Sequence, residues 1–383
     1  MIFELREDQK VILNIVKRFI KEEVEPIAEE IDRDERFPIE NIAKMGSMRI
    51  PGAVVPRKYD GGGLDYQTYV RIVEEFSKVC ASTGVIIAGA NSLLSFPILT
   101  WGTEEQKQRW LPLLSRGELF GVFGLTEPEA GSDASNMKTA AVADGDDFIL
   151  NGTKHFITGG DIAGMAIIFA GVKKNSKSKR ARMSAFIVET NTPGFSVGRV
   201  EDKLGIRGAT TAELILEDVR IPKENIIGKV GLGFRIALET LACGRLGVAS
   251  QALGIAQGAY DAAISYALER KQFDKVIFNF QAIQFKLVEM AVKIENARNL
   301  IYKAAYNKDT GKPFEKLAAM AKLYASDIAS EVADEAIQIH GGFGYMKDYP
   351  VERFYRDARI TRIYEGTNEI HKMIIANYLQ KEI

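Results

Sequence analysis

Cysteine is almost missing from the chain: Cys80 and Cys243 are the only two in 383 residues, far apart and in unrelated contexts. That excludes a disulfide-stapled scaffold and fits a reducing compartment. Histidine is nearly as scarce. His155, His340 and His371 share no helical face, and no CxxC or other ligand spacing accompanies them, so no metal centre is expected. Neither sign of charge dominates, with 50 Lys and Arg against 51 Asp and Glu and a formal net of −1. A dedicated nucleic-acid binder would carry a net positive field, and this chain has none. The opening MIFELREDQK lacks the basic-then-apolar order of a signal peptide, and the expectation is a cytoplasmic protein. A Walker loop, a Rossmann fingerprint and a GxSxG elbow are also missing, so any cofactor must be held by other means.

What is present is the balance of a globular protein, 46% apolar and 26% charged. At about 150 residues per domain the length predicts two or three domains. Up to about Gly117 the pattern is helical. Val11, Ile12, Ile15, Val16, Phe19 and Ile20 recur at amphipathic spacing, and Thr103 with Gln106 reads as a capping box. No charged side chain occurs from Val79 to Thr103, a length that could span a bilayer. Gly84, Gly89, Asn91 and Pro97 within it fit a buried helix pair better, so no membrane association is expected. From about Phe120 short apolar runs (148–150, 166–169, 185–188 and 212–216) predict strands of an antiparallel β domain, a barrel or sandwich punctuated by Asn151-Gly152 and Pro193-Gly194. After Gly233 the pattern returns to helix. Residues 234–270 contain no proline, and as one helix they would extend roughly 55 Å. Further helices are expected over about 281–307 and 314–340 and after Thr367, making a four-helix bundle. The fold class is therefore α+β, with an N-terminal all-α domain (1–119), a middle β domain (120–232) and a C-terminal helical bundle (233–383). The lysine-rich stretch from Lys173 to Arg180 reads as an exposed loop between strands.

Three segments are loop-like yet rich in small and polar groups. Phe123 to Asp133 offers backbone N–H groups and the hydroxyls of Thr126 and Ser132, and its Glu127 and Glu129 read as solvated loop carboxylates. His155-Phe156-Ile157-Thr158-Gly159-Gly160 puts an aromatic beside a hydroxyl, which suits either a flat heterocycle or a strand end. Arg362 to Ile370 places Glu365 before a glycine and a helix capped by Thr367.

Together, FGLTEPEAGSDAS, KHFITGG, GRLGVASQALGIAQ, ERKQF…FQAIQ, QIHGGFGY and RIYEGTNEI resemble the acyl-CoA dehydrogenase family, in order and spacing, over essentially the whole chain. The resemblance implies a FAD enzyme, a homotetramer built as a dimer of dimers. Phe123, Leu125, Thr126, Gly131, Ser132, Phe156, Ile157 and Thr158 match flavin-binding positions, as do Thr367 and Glu369. Arg270, Gln281, Gln338, Gly341 and Gly342 match positions that a neighbouring subunit offers to the FAD diphosphate and adenine, and Phe280 and Ile339 match cofactor-binding positions beside them. A guanidinium fork suits a diphosphate. Glu365 matches the catalytic base, which removes the α-proton of an acyl-CoA while the β-hydride passes to flavin N5. Electrons would then pass to an electron-transferring flavoprotein. The backbone N–H of Glu365 and a ribityl hydroxyl would hold the thioester carbonyl, where developing charge makes a donor worth most.

Ser132, Ala242, Arg245, Tyr364 and Gly366 match substrate-contacting positions, Tyr364 as a wall and Gly366 as space. Two departures stand out. Ala242 occupies a position where many relatives carry Asp, which removes one polar contact to the pantetheine arm. Phe156 stands where Trp is common. No Arg or Lys lies between Gly84 and Ser95, at the expected tail end of the pocket, so an uncharged acyl group, short, medium or cyclic, is expected. Asn91 reads as a group satisfying its helix neighbours rather than as a sign of a ring-shaped substrate. The same residues would serve an enoyl-CoA reductase working in reverse in an anaerobe. A non-catalytic binding protein is disfavoured by Glu365, and an oxidase by the lack of an extra C-terminal domain.

Overall fold

The computed structural model describes residues 4–173 and 182–382, so most of the lysine-rich stretch after Lys173 lies outside the described residues. Seven α-helices come first: α1 (Glu7–Phe19), α2 (Ala28–Asp34), α3 (Ile39–Ser47), α4 (Tyr66–Ser77), α5 (Ala81–Gly89), α6 (Phe96–Trp101) and α7 (Glu104–Ser115). The Thr103 hydroxyl accepts from Gln106 N–H at 3.3 Å and the Gln106 side chain accepts from Thr103 N–H at 3.0 Å, so the capping box forms as expected. A π-helical segment, Ala90–Ser95, joins α5 to α6. The uncharged stretch Ala81–Trp101 is long and apolar enough to cross a membrane, but 67% of its apolar window is buried inside the protein, as in a core helix. Asn91 is fully buried. Its Nδ2 donates to the Ile50 and Ile87 carbonyls and its Oδ1 accepts from Val54 N–H, which confirms its structural role.

Eight strands follow: β1 (Gly121–Gly124), β2 (Ala140–Asp144), β3 (Asp147–Thr158), β4 (Met165–Lys173), β5 (Arg182–Glu189), β6 (Phe195–Val200), β7 (Thr211–Pro222) and β8 (Ile226–Ile227). They form one sheet in the order β6-β7-β3-β2-β4-β5-β8, with β1 also on β4. The sheet is mixed: most pairs are antiparallel, but β1 and β2 each pair with β4 in parallel. Phe148 of β3 and Phe186 of β5 lie three strands apart in this order, about 14 Å in a flat sheet. Their rings meet at 5.4 Å, so the sheet folds back and encloses a core of its own. Alternate residues of β4 face two cores. Ala166, Ile168 and Ala170 point into the sheet's own core, while Ile167 and Phe169 pack with Trp110, Leu111 and Ile236. Burial on both faces explains the unbroken apolar run in the sequence.

Asn151-Gly152 is not a turn. It lies within β3, opposite an extra residue in β7 at Asp218, whose φ is +53°. The Asn151 side chain clasps that bulge, donating to Asp218 Oδ1 at 2.9 Å and accepting from Asp218 N–H at 2.8 Å. A second irregularity, between Lys154 and Ile157, adds a residue to β3 instead, so the two offsets cancel.

Five helices complete the chain: α8 (Gly233–Glu269), α9 (Gln281–Asp309), α10 (Glu315–His340), α11 (Val351–Ile360) and α12 (Asn368–Lys381). The long proline-free helix is continuous, as expected. Helix α11 is an addition to the four expected, although Val351, Phe354 and Ala358, all buried, carry the periodic signal. It ties the parts of the molecule together: Arg356 pairs with Asp32 at 2.7 Å and Asp357 accepts from Ile206 N–H at 2.5 Å. The principal core joins α1, α4 and α5 to α8, α9 and α10.

Candidate active site

A cavity of about 400 Å³ opens where the three groups of elements meet. Its walls come from β1 and the loop after it (Phe123, Leu125, Thr126, Gly131, Ser132), from β3 (Phe156, Ile157, Thr158), from the α5 region (Val85, Ile86, Gly89, Ala90, Leu93, Leu94), from α8 (Leu238, Leu241, Arg245) and from the turn before α12 (Tyr364, Glu365, Gly366). Segments more than two hundred residues apart in sequence thus converge on one space. The lining between Val85 and Leu94 carries no cation.

The β3 bulge aims one ring at this space. The strand's alternation points Phe148, Leu150 and Lys154 inward, and the inserted residue lets Ile157 point inward too. Phe156 is that insertion. Its φ is +58°, an uncommon state for an aromatic residue, and the residue is 62% exposed. His155 N–H donates to the Thr126 carbonyl at 2.9 Å and fastens the strand to the loop.

A buried ion pair fixes the same loop from inside. Lys154, fully buried, donates to Glu127 Oε1 at 2.7 Å and to the Leu125 carbonyl at 3.2 Å. Glu127 is therefore not the solvated carboxylate expected, since it also accepts from Thr139 N–H at 3.0 Å and from Lys138 N–H. Burial pushes its carboxyl up, and Lys154 with the other donors outweighs that, holding it below the ordinary value. Lys154 itself is brought down by burial to about 8. Glu129 does stay exposed. Alternation from Phe148 and Leu150 was the signal that could have placed Lys154 inward.

Glu365 lies in the turn that follows α11. Its φ of +50° and that of Gly366, +98°, reverse the chain, after which the Thr367 hydroxyl accepts from Ile370 N–H at 3.4 Å and caps α12. One oxygen of its carboxylate, Oε2, is buried against α8. A Cβ on Gly244 would stand 1.9 Å from Glu365 Oε2, so only glycine gives the acid its space. Glu365 Oε2 is buried with no hydrogen-bond partner. Burial raises this carboxyl to about 7, while the Lys322 and Arg245 cations pull against the rise. Tyr364 packs beside it as a wall, with its hydroxyl donating to Gln251 Oε1.

Other expected residues are distributed over two further cavities or lie outside all three. Arg245 borders the first cavity and a second of about 470 Å³, which Ala242, Lys308 and Tyr378 also line. Arg270, Ile339, Gly341 and Gly342 line a third, separate cavity of about 540 Å³ with Tyr266, His340 and Phe343. Phe280, Gln281 and Gln338 do not line it. Phe280 lies under the Lys275 ammonium at 4.1 Å, and Gln281 and Gln338 are exposed. Thr367 serves as a cap and Glu369 is exposed, and neither lines the first cavity.

The arrangement fits a flavin and an acyl thioester. It offers a flat aromatic wall, small residues on a polar loop, an apolar end, and one carboxylate with a buried, unpartnered oxygen. Comparison with known proteins agrees. The N-terminal, middle and C-terminal domains of acyl-CoA dehydrogenase match residues 6–118, 122–219 and 231–380. The chain is 49% identical to a short-chain specific acyl-CoA dehydrogenase of Clostridium acetobutylicum, over 98% of this chain and 99% of that one. It is also 49% identical to an acryloyl-CoA reductase (NADH) of Anaerotignum propionicum, over 100% of this chain and 96% of that one. Butyryl-CoA dehydrogenase from Megasphaera elsdenii superposes with a TM-score of 0.95 at 45% identity, covering 99% and 100% of the two chains. With its three regions matched and these relatives aligned from end to end, the chain belongs to the acyl-CoA dehydrogenase family of oxidoreductases.

Proposed function

We propose that this protein is a FAD-dependent acyl-CoA dehydrogenase that converts an uncharged acyl-CoA, short, medium or cyclic, to its 2-enoyl thioester, with Glu365 as the base. The observation that carries this reading is the buried carboxylate of Glu365, one oxygen of which has no partner, bordering a cavity of flavin-and-acyl character. The cofactor is FAD, as the family holds, and bound FAD supplies the acceptor for the substrate's β-hydride.

The chain's own residues do the rest. Phe123, Leu125, Thr126, Gly131, Ser132, Phe156, Ile157 and Thr158 form the wall on which the flavin would lie. The apolar lining from Val85 to Leu94 receives the acyl chain, and a distal carboxylate there would have no counter-charge. Arg245 borders two cavities, which supports the proposal that the CoA arm passes between them there. Ser132 is proposed to contact that arm. Ala242 in the second cavity offers it no polar group. Glu365 takes the α-proton. Its pKa near 7 brings it closer to that of the proton it removes than an ordinary carboxylate would be. Its backbone N–H is proposed to hold the thioester carbonyl.

Arg270, Gly341, Gly342 and their neighbours form a cavity distinct from the one at Glu365. We assign them to the FAD of an adjoining subunit in a homotetramer, with Phe280, Gln281, Gln338 and Ile339 beside them. Thr367 and Glu369, at the start of α12 beside Glu365, are assigned to the FAD of this chain's own site, where a helix end favours phosphate. Electrons leave to an electron-transferring flavoprotein. Equal identity to a dehydrogenase and to an acryloyl-CoA reductase supports a second direction of working, as an enoyl-CoA reductase. Turnover with oxidised and with reduced electron-transferring flavoprotein separates the two.

The test of the base is direct. Glu365→Gln should retain the yellow flavin and lose its anaerobic bleaching by every acyl-CoA in a panel; bleaching at the parental rate would remove Glu365 from the role.

A further inference from the structure

Lys322 lies in the middle of α10, outside every motif that marks the family resemblance, and is fully buried. Its Nζ donates to the Gly366 carbonyl at 2.8 Å and to Asn368 Oδ1 at 3.1 Å. Those two acceptors flank Thr367, so one amine bridges the turn that carries Glu365 and the first residue of α12. Asn368 is held in its turn, its Nδ2 donating to Ser326 Oγ at 3.0 Å and to Asp327 Oδ1 at 2.9 Å. Helix α10 therefore grips this turn through Lys322, Ser326 and Asp327. The grip has strain to oppose, because Glu365 occupies the left-handed region, a state that persists only where surrounding structure over-determines it.

We infer that Lys322 is a positioning residue for the proposed base: it clamps the Glu365–Gly366 turn through the Gly366 carbonyl and Asn368, and its ammonium favours the carboxylate form of Glu365. The inference rests on Glu365 being the base, as proposed above.

The groups around the acid leave few other candidates for this work. Tyr69 from α4 and Tyr364 on the turn itself are pushed up by burial and stay neutral. His371 from α12 lies beside Gly366, within 3.4 Å of where a Cβ there would stand, and burial brings it down to about 3, so it too is uncharged. That leaves Arg245 from α8 and Lys322 from α10 as the cations that oppose the rise of Glu365. Arg245 borders the cavity, whereas Lys322 lines none of the three cavities described above and acts from behind the turn. Burial lowers Lys322 itself to about 7, against the attraction of Glu365, Asp327 and Glu369 and with the repulsion of Arg245.

The experiment compares the pH dependence of kcat/KM for butyryl-CoA in the FAD-loaded parent, K322Q, K322R and K322M, after flavin content and Tm have shown each variant folded. K322Q removes the charge but keeps an N–H donor, one bond shorter, on the side chain that faces the Gly366 carbonyl. Its acid limb should move to higher pH while its plateau stays within a few-fold of the parent's. K322R keeps the charge and should hold the limb in place. K322M loses both functions, and its plateau should fall by on the order of tenfold to a hundredfold. A K322Q profile superimposable on the parent's overturns the inference, whatever K322M does. Activity persisting in E365Q overturns the assignment of the base instead, so the two failures are told apart.

Discussion

At the scale of single residues, the role proposed for Glu365 turns on how an ordinary carboxylic acid is made a useful base. Water would hold a glutamate near its usual pKa, far below the proton it has to take. Burial without a partner for Oε2 raises Glu365 to about 7, and the two nearby cations keep it from rising further. With Glu365 as the proposed base the ionised form is the active one, so kcat/KM should increase as pH rises through about 7 and then level off, in stopped-flow bleaching across a pH series. Gly244 is the second requirement. Its missing side chain is the room the carboxylate occupies. Gly244→Ala should keep the flavin spectrum and slow bleaching by about a hundredfold, the scale expected for displacing a reacting group by an ångström. A variant reduced at the parental rate would show that the carboxylate does not depend on that space.

At the scale of elements, the loop after β1 is held less by its own sequence than by the strand beneath it. The Lys154–Glu127 pair joins groups 27 residues apart, with both side chains almost wholly buried. Removing one partner leaves an uncompensated buried charge, so Glu127→Ala should lower stability by about 3–5 kcal/mol in urea unfolding. Lys154→Met added to Glu127→Ala should recover part of that loss. The pH dependence follows from direction. The Glu127 carboxyl lies below its ordinary 4.5 in the folded protein, so its stabilisation is present above that pH and is lost as pH falls through the lower, folded value. The two compensating bulges in β3 and β7 work beside this pair, and the one at Phe156 turns a ring outward that regular alternation would have buried.

At the scale of the whole molecule, one chain offers the two halves of the proposed cofactor site in separate cavities, one at Glu365 and one at Arg270. Helix α9 adds an apolar stripe, with Phe285, Val288 and Val292 at 56%, 60% and 55% exposure, of the kind that packs against another copy. A shared site predicts complementation. Glu365→Gln and Arg270→Ala chains, each poorly active alone, should regain activity when unfolded together and refolded as mixed oligomers, because some sites then combine an intact acid with an intact guanidinium. Mixed oligomers without regained turnover would mean that each site is built from one chain.

Local pattern alone determined the long helices, the Thr103 and Thr367 caps and the runs that became β3, β4, β5 and β7, because each depends on periodicity or on neighbours a few residues away, while the segments proposed for the site stood out as such only through the family resemblance. It missed α11, whose periodic signal is short and lies in a charged stretch, and it misplaced Asn151-Gly152, since the same dipeptide that favours a turn can also clasp a bulge in a partner strand. Only the tertiary structure decided that Glu127 is buried, that Gly244 gives Glu365 its space, and that Lys322 holds the carbonyl of Gly366, 44 residues away. Those facts depend on which distant surfaces come together and on the loss of water between them, and burial, more than residue type, sets what a carboxylate or an amine can do.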